Sequence, residues 1–292
     1  MKSVFKSYLC VMNTIFHLSQ YARQALKDSY PEHEIQSICR IIYMDVLHFT
    51  NIDIHIKKNE TLDESFVNKF HSIIQRLQQN EPLQYILGET TFAGLQFKVN
   101  RSTLIPRPET EELVRWVTGN TCSGMHVLDI GTGSGCIAVS IAHLCPQAVV
   151  CAIDIAQDTL ETAQENALIN QTDVTFMARD ILHYDNYKWN SFDIIVSNPP
   201  YIRECEKKEM HKNVLEYEPA RALFVNDTDP LLFYRTIAEF GQHHLKPGGL
   251  LFFEINEAFG KETVDLLAQK GYKNIELRKD FFEKERMIKA SK

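Results

Sequence analysis

The chain has 292 residues, 44% hydrophobic and 24% charged, a globular composition long enough for one large domain or two smaller ones. Its 31 basic and 38 acidic residues leave a net charge of −7, which argues against a protein that grips bare nucleic acid mainly through phosphates. Its 7 cysteines form no C-x-x-C pair, so zinc and disulfide frameworks are disfavoured and a reducing, cytoplasmic setting is expected.

Lys2 and Lys6 precede "YLCVMNTIF", whose apolar run is interrupted by Asn13 and followed by His17. No small-residue cleavage site follows closely, so an amphipathic helix is expected rather than a signal peptide. No run reaches the roughly 18 apolar residues that span a membrane, and no membrane partner is expected. Residues 1–80 hold no glycine and a single proline, Pro31. Ile35, Ile38, Cys39 and Ile42 recur at helical spacing, and Pro31 before Glu32 and Glu34 marks a helix start. Thr61 with Glu64 three residues on predicts a capping box. A small helical domain is expected over 1–80. Residues 81–105, with Gly88 and Gly94 among β-branched and aromatic residues, predict a β-hairpin linker.

From 106 to 292 strands and helices alternate. "HVLDI", "AVVCAIDI", "VTFMAR", "FDIIVS" and "GGLLFFEI" are predicted strands, with helices such as 157–169 and 229–245 between them. "NIELRKD" and "ERMIKA" predict a terminal antiparallel pair. The expected fold is α/β, a Rossmann-like, mostly parallel sheet with helices on both faces, preceded by the helical domain. Cys136 and Cys151 sit in apolar runs and are expected to be small buried hydrophobes.

"LDIGTGSG" places Asp129, Gly131, Thr132, Gly133, Ser134 and Gly135 between a strand and a helix. The glycines suit a tight turn that lets backbone approach a ligand. The spacing departs from the dinucleotide fingerprint G-x-G-x-x-G. An acid at Asp129 suits the cationic amino group of S-adenosylmethionine better than a pyrophosphate. Asp154, ending the second strand, can accept both ribose hydroxyls. Asp180 can accept from an adenine amino group, with Ile181 beside the ring. The alternative is a plain turn with acidic caps. Three acids at three successive strand ends weigh against it, because ligands bind at the carboxyl ends of such strands.

The fourth strand exits into Asn198-Pro199-Pro200-Tyr201. Proline has no N–H and a fixed φ, so two in sequence give a rigid segment with free carbonyls. The Asn198 side-chain oxygen and the Pro199 carbonyl are two acceptors on rigid supports, matched to the two hydrogens of a planar –NH2 group. Tyr201 offers a flat wall. An amide nitrogen is a poor nucleophile because its lone pair is delocalised. Fixed acceptors that draw both hydrogens favour the pyramidal geometry of attack. A buried Tyr after a proline-rich strand exit is the bland alternative.

The glycine loop with N-P-P-Y resembles the class I S-adenosylmethionine-dependent amino-group methyltransferases. "PLQYILGETTF", "LIPRPETEELV" and "EPARALF" narrow the resemblance to the HemK/PrmC family, over roughly residues 82–288. The resemblance implies methylation of the side-chain amide N5 of glutamine in the Gly-Gly-Gln motif of class 1 peptide chain release factors. S-adenosyl-L-methionine would be the methyl donor, S-adenosyl-L-homocysteine the product, and no metal would be needed. It implies cofactor contacts at Gly131 to Gly135, Asp154, Ile181 and Asn198. Glutamine would be held by Asn198, Pro199, Pro200 and Tyr201. Arg107, Glu109, Thr110 and Glu111 would shape the substrate mouth, a structural ion pair being the alternative for Arg107 and Glu111. The helical domain would recognise the substrate protein, and a monomer is expected. Ala220 stands where the family often has a basic residue, and Asn256 where it often has glycine. Two rivals remain: a DNA or RNA amino-group methyltransferase, disfavoured by net charge, and a catalytically silent cofactor-binding module.

Overall fold

A computed structural model describes residues 13–292. The stretch from Lys2 to Met12, expected to begin an amphipathic helix, lies outside the described residues. The chain divides into two compact units, Met1–Ile86 and Leu87–Lys292.

The first unit is helical: α1 (Ile15–Leu26), α2 (Glu32–Leu47), α3 (Asn51–Ile56), α4 (Glu64–Leu77) and the start of α5 (Leu83–Leu87). Leu18, Ala22, Ile35, Ile42 and Phe70 fill its core, and Tyr43 stacks on Phe70 with ring centroids 5.6 Å apart. Pro31 precedes α2 as its N-cap. Thr61 does not cap α4; Asp63 does, accepting from Ser65 N at 2.8 Å. Thr61 instead pairs with Thr14 as an isolated bridge, and Leu62 N donates to Asn13 O. The chain is thus held extended past Thr61, so the first helical turn starts two residues later.

The second unit opens with the hairpin β1 (Glu89–Phe92) and β2 (Leu95–Lys98), shorter than the linker expected because residues 83–87 are helical. Ala93 and Gly94 both take positive φ, the turn that matches the twist of a two-residue hairpin. Then follow α6 (Pro108–Thr118), β3 (His126–Ile130), α7 (Cys136–Leu144), β4 (Val149–Asp154), α8 (Gln157–Ile169), β5 (Val174–Ala178) and β6 (Phe192–Ser197). The small strands β7 (Ile202–Arg203) and β8 (Phe224–Val225) pair with each other around α9 (Lys212–Tyr217) and α10 (Ala220–Leu223). The unit closes with α11 (Leu232–His244), β9 (Leu245–Glu254), α12 (Gly260–Gln269), β10 (Lys273–Lys279) and β11 (Glu285–Ser291).

Seven strands form one sheet in the order β10-β11-β9-β6-β3-β4-β5. β9, β6, β3, β4 and β5 are parallel; β11 and β10 add antiparallel at one edge. This is the expected Rossmann-like architecture. Successive residues of the central strands enter opposite clusters. Val127, Ile194 and Phe252 pack on the face covered by α6 and α7, while Leu128, Ile195 and Phe253 pack on the face covered by α11 and α12. A strand buried on both faces needs a continuous apolar run, which is why these segments do not alternate with polar residues. Each such side chain contributes about 1.5–3 kcal/mol on burial. The chain runs from β3 outward to β5, then returns to place β6 on β3's other side. That reversal opens a crevice at the carboxyl ends of β3 and β6.

Candidate active site

β3 ends at Ile130, and the turn after it needs three left-handed residues: Gly131, Gly133 and Gly135 have φ of 75°, 56° and 81°. Gly131 N and Thr132 N both donate to Ile153 O, at 2.9 and 3.0 Å, which ties the turn to β4. Gly133 N donates to Asp154 Oδ2 at 3.0 Å, and Ala156 N to Asp154 Oδ1 at 3.1 Å. At Gly135 a Cβ would lie 3.1 Å from that of Ala163, so glycine here also permits α7 and α8 to approach. Asn166, fully buried on α8, braces the same turn. Its Nδ2 donates to Ser134 O (2.8 Å) and Lys98 O (3.0 Å), and its Oδ1 accepts from Lys98 N (2.7 Å). Nothing in the sequence singled out Asn166, because its partners lie 32 and 68 residues away. Cys136 is buried, and its thiol is pushed up to about 12 by desolvation, so it packs rather than reacts.

A cavity of about 260 Å³ opens at this sheet edge. Ile130 is in register with Ile153 and Ser197, which sets Gly131, Asp154 and Asn198 at one level. All three line the cavity, with Gly133, Asp180, Ile181, Pro199 and Pro200. Burial raises the Asp154 carboxyl above the usual range, opposed by its backbone donors. Asp180 caps the short helical stretch after β5, accepting from Leu182 N at 2.9 Å, and its Oδ2 lies 2.7 Å from His183 Nδ1.

Thr132, Ser134, Gly135 and Asp129 are not on the cavity wall. Asp129 is fully buried; Oδ2 accepts from Thr132 Oγ1 at 2.6 Å, and Oδ1 has no hydrogen-bond partner. Desolvation pushes its carboxyl up to about 7. Thr132 therefore stands as its hydrogen-bond partner where direct ligand contact was expected.

A second cavity, of about 130 Å³, shares Leu104, Asn198, Pro199 and Ala222 with the first. Arg107, Tyr201 and Glu254 line it as well. Tyr201 Oη donates to Glu254 Oε1 at 3.0 Å, and Thr110 Oγ1 donates to Glu254 Oε2 at 2.6 Å. Asn198 Nδ2 donates to Thr110 Oγ1 at 3.4 Å. Burial raises the Glu254 carboxyl, opposed by those two hydroxyls. The Tyr201 phenol is held well above its ordinary range by desolvation and then by the Glu254 charge, so it stays protonated and is no base at neutral pH. Glu254 went unnoticed in the sequence because it ends an apolar strand and its partners, Thr110 and Tyr201, lie 144 and 53 residues away.

Arg107 pairs with Glu218 of "EPARALF" at 2.6 Å, and Ile105 N donates to the other Glu218 oxygen at 3.3 Å. Glu111 does not pair with Arg107; it accepts from Ala93 N and Arg115 at 2.9 and 2.8 Å. Glu109 and Glu111 line neither cavity. Asn256, the departure from glycine, is buried and anchors the motif: Nδ2 donates to Tyr201 O at 3.1 Å and Oδ1 accepts from Ala258 N at 2.9 Å.

The residues of the larger cavity fit a cationic nucleoside ligand. Asp154 and Asp180 offer acceptors, Ile130, Ile153, Ile181 and Phe233 give apolar walls, and Asp129 lies beneath the turn with one oxygen unpartnered. A doubly wound sheet with a glycine turn after β3, acids at the next two strand ends and Asn-Pro-Pro-Tyr after β6 defines a class I methyltransferase. Residues 110–223 match the methyltransferase small domain, and residues 17–88 the PrmC N-terminal domain. The chain is 48% identical to a release factor glutamine methyltransferase of Flavobacterium psychrophilum, covering 92% of this chain and 95% of that one. It is 44% identical to one from Bacteroides thetaiotaomicron, over 94% and 99%. It is 41% identical to one from Lactococcus lactis, over 78% and 84%. The chain belongs to the release factor glutamine methyltransferase family.

Proposed function

We propose that the chain methylates the side-chain amide N5 of the glutamine in the Gly-Gly-Gln motif of class 1 peptide chain release factors. The observation that carries this reading is the meeting of the two cavities at Asn198 and Pro199. One cavity is lined by strand-end acids and suits a nucleoside. The other is small, walled by Tyr201 and sized for one side chain. S-adenosyl-L-methionine, when bound, supplies a methyl group activated by a cationic sulfur.

The chain's own residues do the rest. Gly131, Gly133, Asp154, Asp180 and Ile181 hold the cofactor. Asn198 Oδ1 and the Pro199 carbonyl accept the two amide hydrogens of glutamine and favour the pyramidal nitrogen. Pro200 stiffens the support and Tyr201 packs against the amide plane. Positioning supplies much of the acceleration. Arg107, held by Glu218, shapes the mouth of the smaller cavity. We assign recognition of the release factor's remaining surface to the helical unit, since every residue lining the two cavities lies between Ser102 and Glu254. The protein is read as a cytoplasmic monomer.

The test is incubation with labelled S-adenosylmethionine and purified release factor, followed by mass mapping. The expected result is one methyl on the Gly-Gly-Gln glutamine and none on a Gln-to-Ala substrate. Label on bare nucleic acid, with none on release factor, would favour the nucleic-acid rival instead.

A further inference from the structure

An asparagine amide has two nearly isosteric ends, and the proposed chemistry needs its oxygen, not its nitrogen, turned to the substrate. Nothing in Asn198-Pro199-Pro200-Tyr201 itself fixes that choice. The side chains around it do. Glu254 is buried, and two hydroxyls converge on it, Tyr201 Oη on one oxygen and Thr110 Oγ1 on the other. Both Glu254 oxygens accept, and each hydroxyl donates to one of them. Thr110 has one hydroxyl hydrogen, and the short 2.6 Å contact commits it to Glu254. The Thr110 oxygen can then only accept from Asn198, so the atom facing it is Nδ2. Oδ1 is left as the free end of the amide.

We propose that Glu254 is a positioning residue: acting through Thr110, it sets the amide of Asn198 so that Oδ1 is presented to the glutamine amide. This rests on the function proposed above. Thr110 lines neither cavity, so its effect on turnover runs through Asn198. Were the Thr110 hydrogen released from Glu254, it could donate to Asn198 Oδ1. The amide would then turn over and present N–H groups to the substrate –NH2, donor against donor. The relay joins α6, the β6 exit and the end of β9, across 88 and 144 residues of sequence.

The experiment compares the full-length wild type with Thr110→Val, Thr110→Ser, Glu254→Gln and the Glu254→Gln/Thr110→Val double variant. Methyl transfer to release factor, KM for S-adenosylmethionine and thermal unfolding are measured on each. Thr110→Val keeps the shape and removes the relay, so kcat is expected to fall roughly 10- to 100-fold, short of the loss for deleting a preorganised group outright. KM for S-adenosylmethionine should stay within about three-fold, since the lost interaction serves the transition state. Thr110→Ser, which keeps the hydroxyl, should recover most of that turnover. The double variant should be no slower than the slower single, because both break one relay. A folded Thr110→Val with wild-type kcat, or fully multiplicative losses in the double variant, overturns the positioning role while wild-type turnover upholds the function. Wild type inactive on release factor overturns the function, and the positioning role with it.

Discussion

The two cavities that meet at Asn198 are built in different ways. The floor of the larger one is made of strand ends and the turns that leave them: Gly131 and Gly133 after β3, Asp154 on β4, Asp180 after β5, with Phe233 and Ile237 of α11 closing it. Each floor residue is placed by its own strand and a local turn. The smaller one is assembled from side chains that no local rule brings together: Arg107 before α6, Tyr201 after β6 and Glu254 at the end of β9, with Glu218 behind Arg107. Backbone geometry shapes the first and hydrogen bonds between distant side chains shape the second. Damage to the first should therefore appear in folding and cofactor affinity, and damage to the second in turnover.

The largest effect expected is at the junction. Asn198→Ala should lower kcat by on the order of 10²–10³, as loss of a preorganised transition-state partner does, with much less change in cofactor affinity. Isothermal binding beside single-turnover rates separates the two, and turnover within a few-fold of wild type would remove the distinction between the cavities. Next comes Gly135→Val, where positive φ and a Cβ 3.1 Å from Ala163 combine. A stability loss of about 2–4 kcal/mol is expected in urea unfolding, and no loss would mean that the turn is not braced by α8.

A smaller effect tests the buried acid. Asp129 in the folded chain is raised from 3.8 to about 7 by desolvation and by Asp154 nearby, with Cys136 also close. The folded state then holds the proton more tightly than the unfolded one. Asp129's contribution to stability is greatest below pH 4 and declines as pH rises from about 4 to 7, by about 1–3 kcal/mol after relaxation around the charge. Asp129→Asn should flatten that part of the melting-temperature profile; an unchanged slope would mean that Asp129 is already ionised in the fold. Smallest of all, Glu111→Gln should change turnover by less than about three-fold and stability by about 1 kcal/mol or less, since its partner Arg115 is largely exposed and glutamine keeps an oxygen for Ala93 N. A large KM effect would return Glu111 to the substrate mouth.

The same division explains how much of the molecule was legible in the sequence. The sheet was, because β3, β6 and β9 are buried on both faces and so are written as continuous apolar runs. The turn was, because three left-handed positions call for glycine. Thr61 was misread as a cap because its pairing with Thr14 is invisible locally, and the helix at 83–87 was missed between Pro82 and Gly88. At the site, Asp154, Asp180, Asn198 and Tyr201 stood out because each follows a recognisable strand. Arg107 stood out within its motif, but its partner did not: Glu218 lies 111 residues away, and the nearer Glu111 was the plausible wrong choice.

The sequence by itself determined the main sheet strands and the helices expected between them, the positive-φ turn and the rigid Pro-Pro exit, since each is dictated by the backbone preferences of a few consecutive residues. Tertiary structure alone decided that Asn166 clamps the glycine turn, that Asn256 holds the Tyr201 carbonyl, and that Glu254 and Thr110 orient Asn198. Those are hydrogen bonds made by side chains to groups 32 to 144 residues away, and partners at that separation are set by how the sheet folds, not by any pattern along the chain.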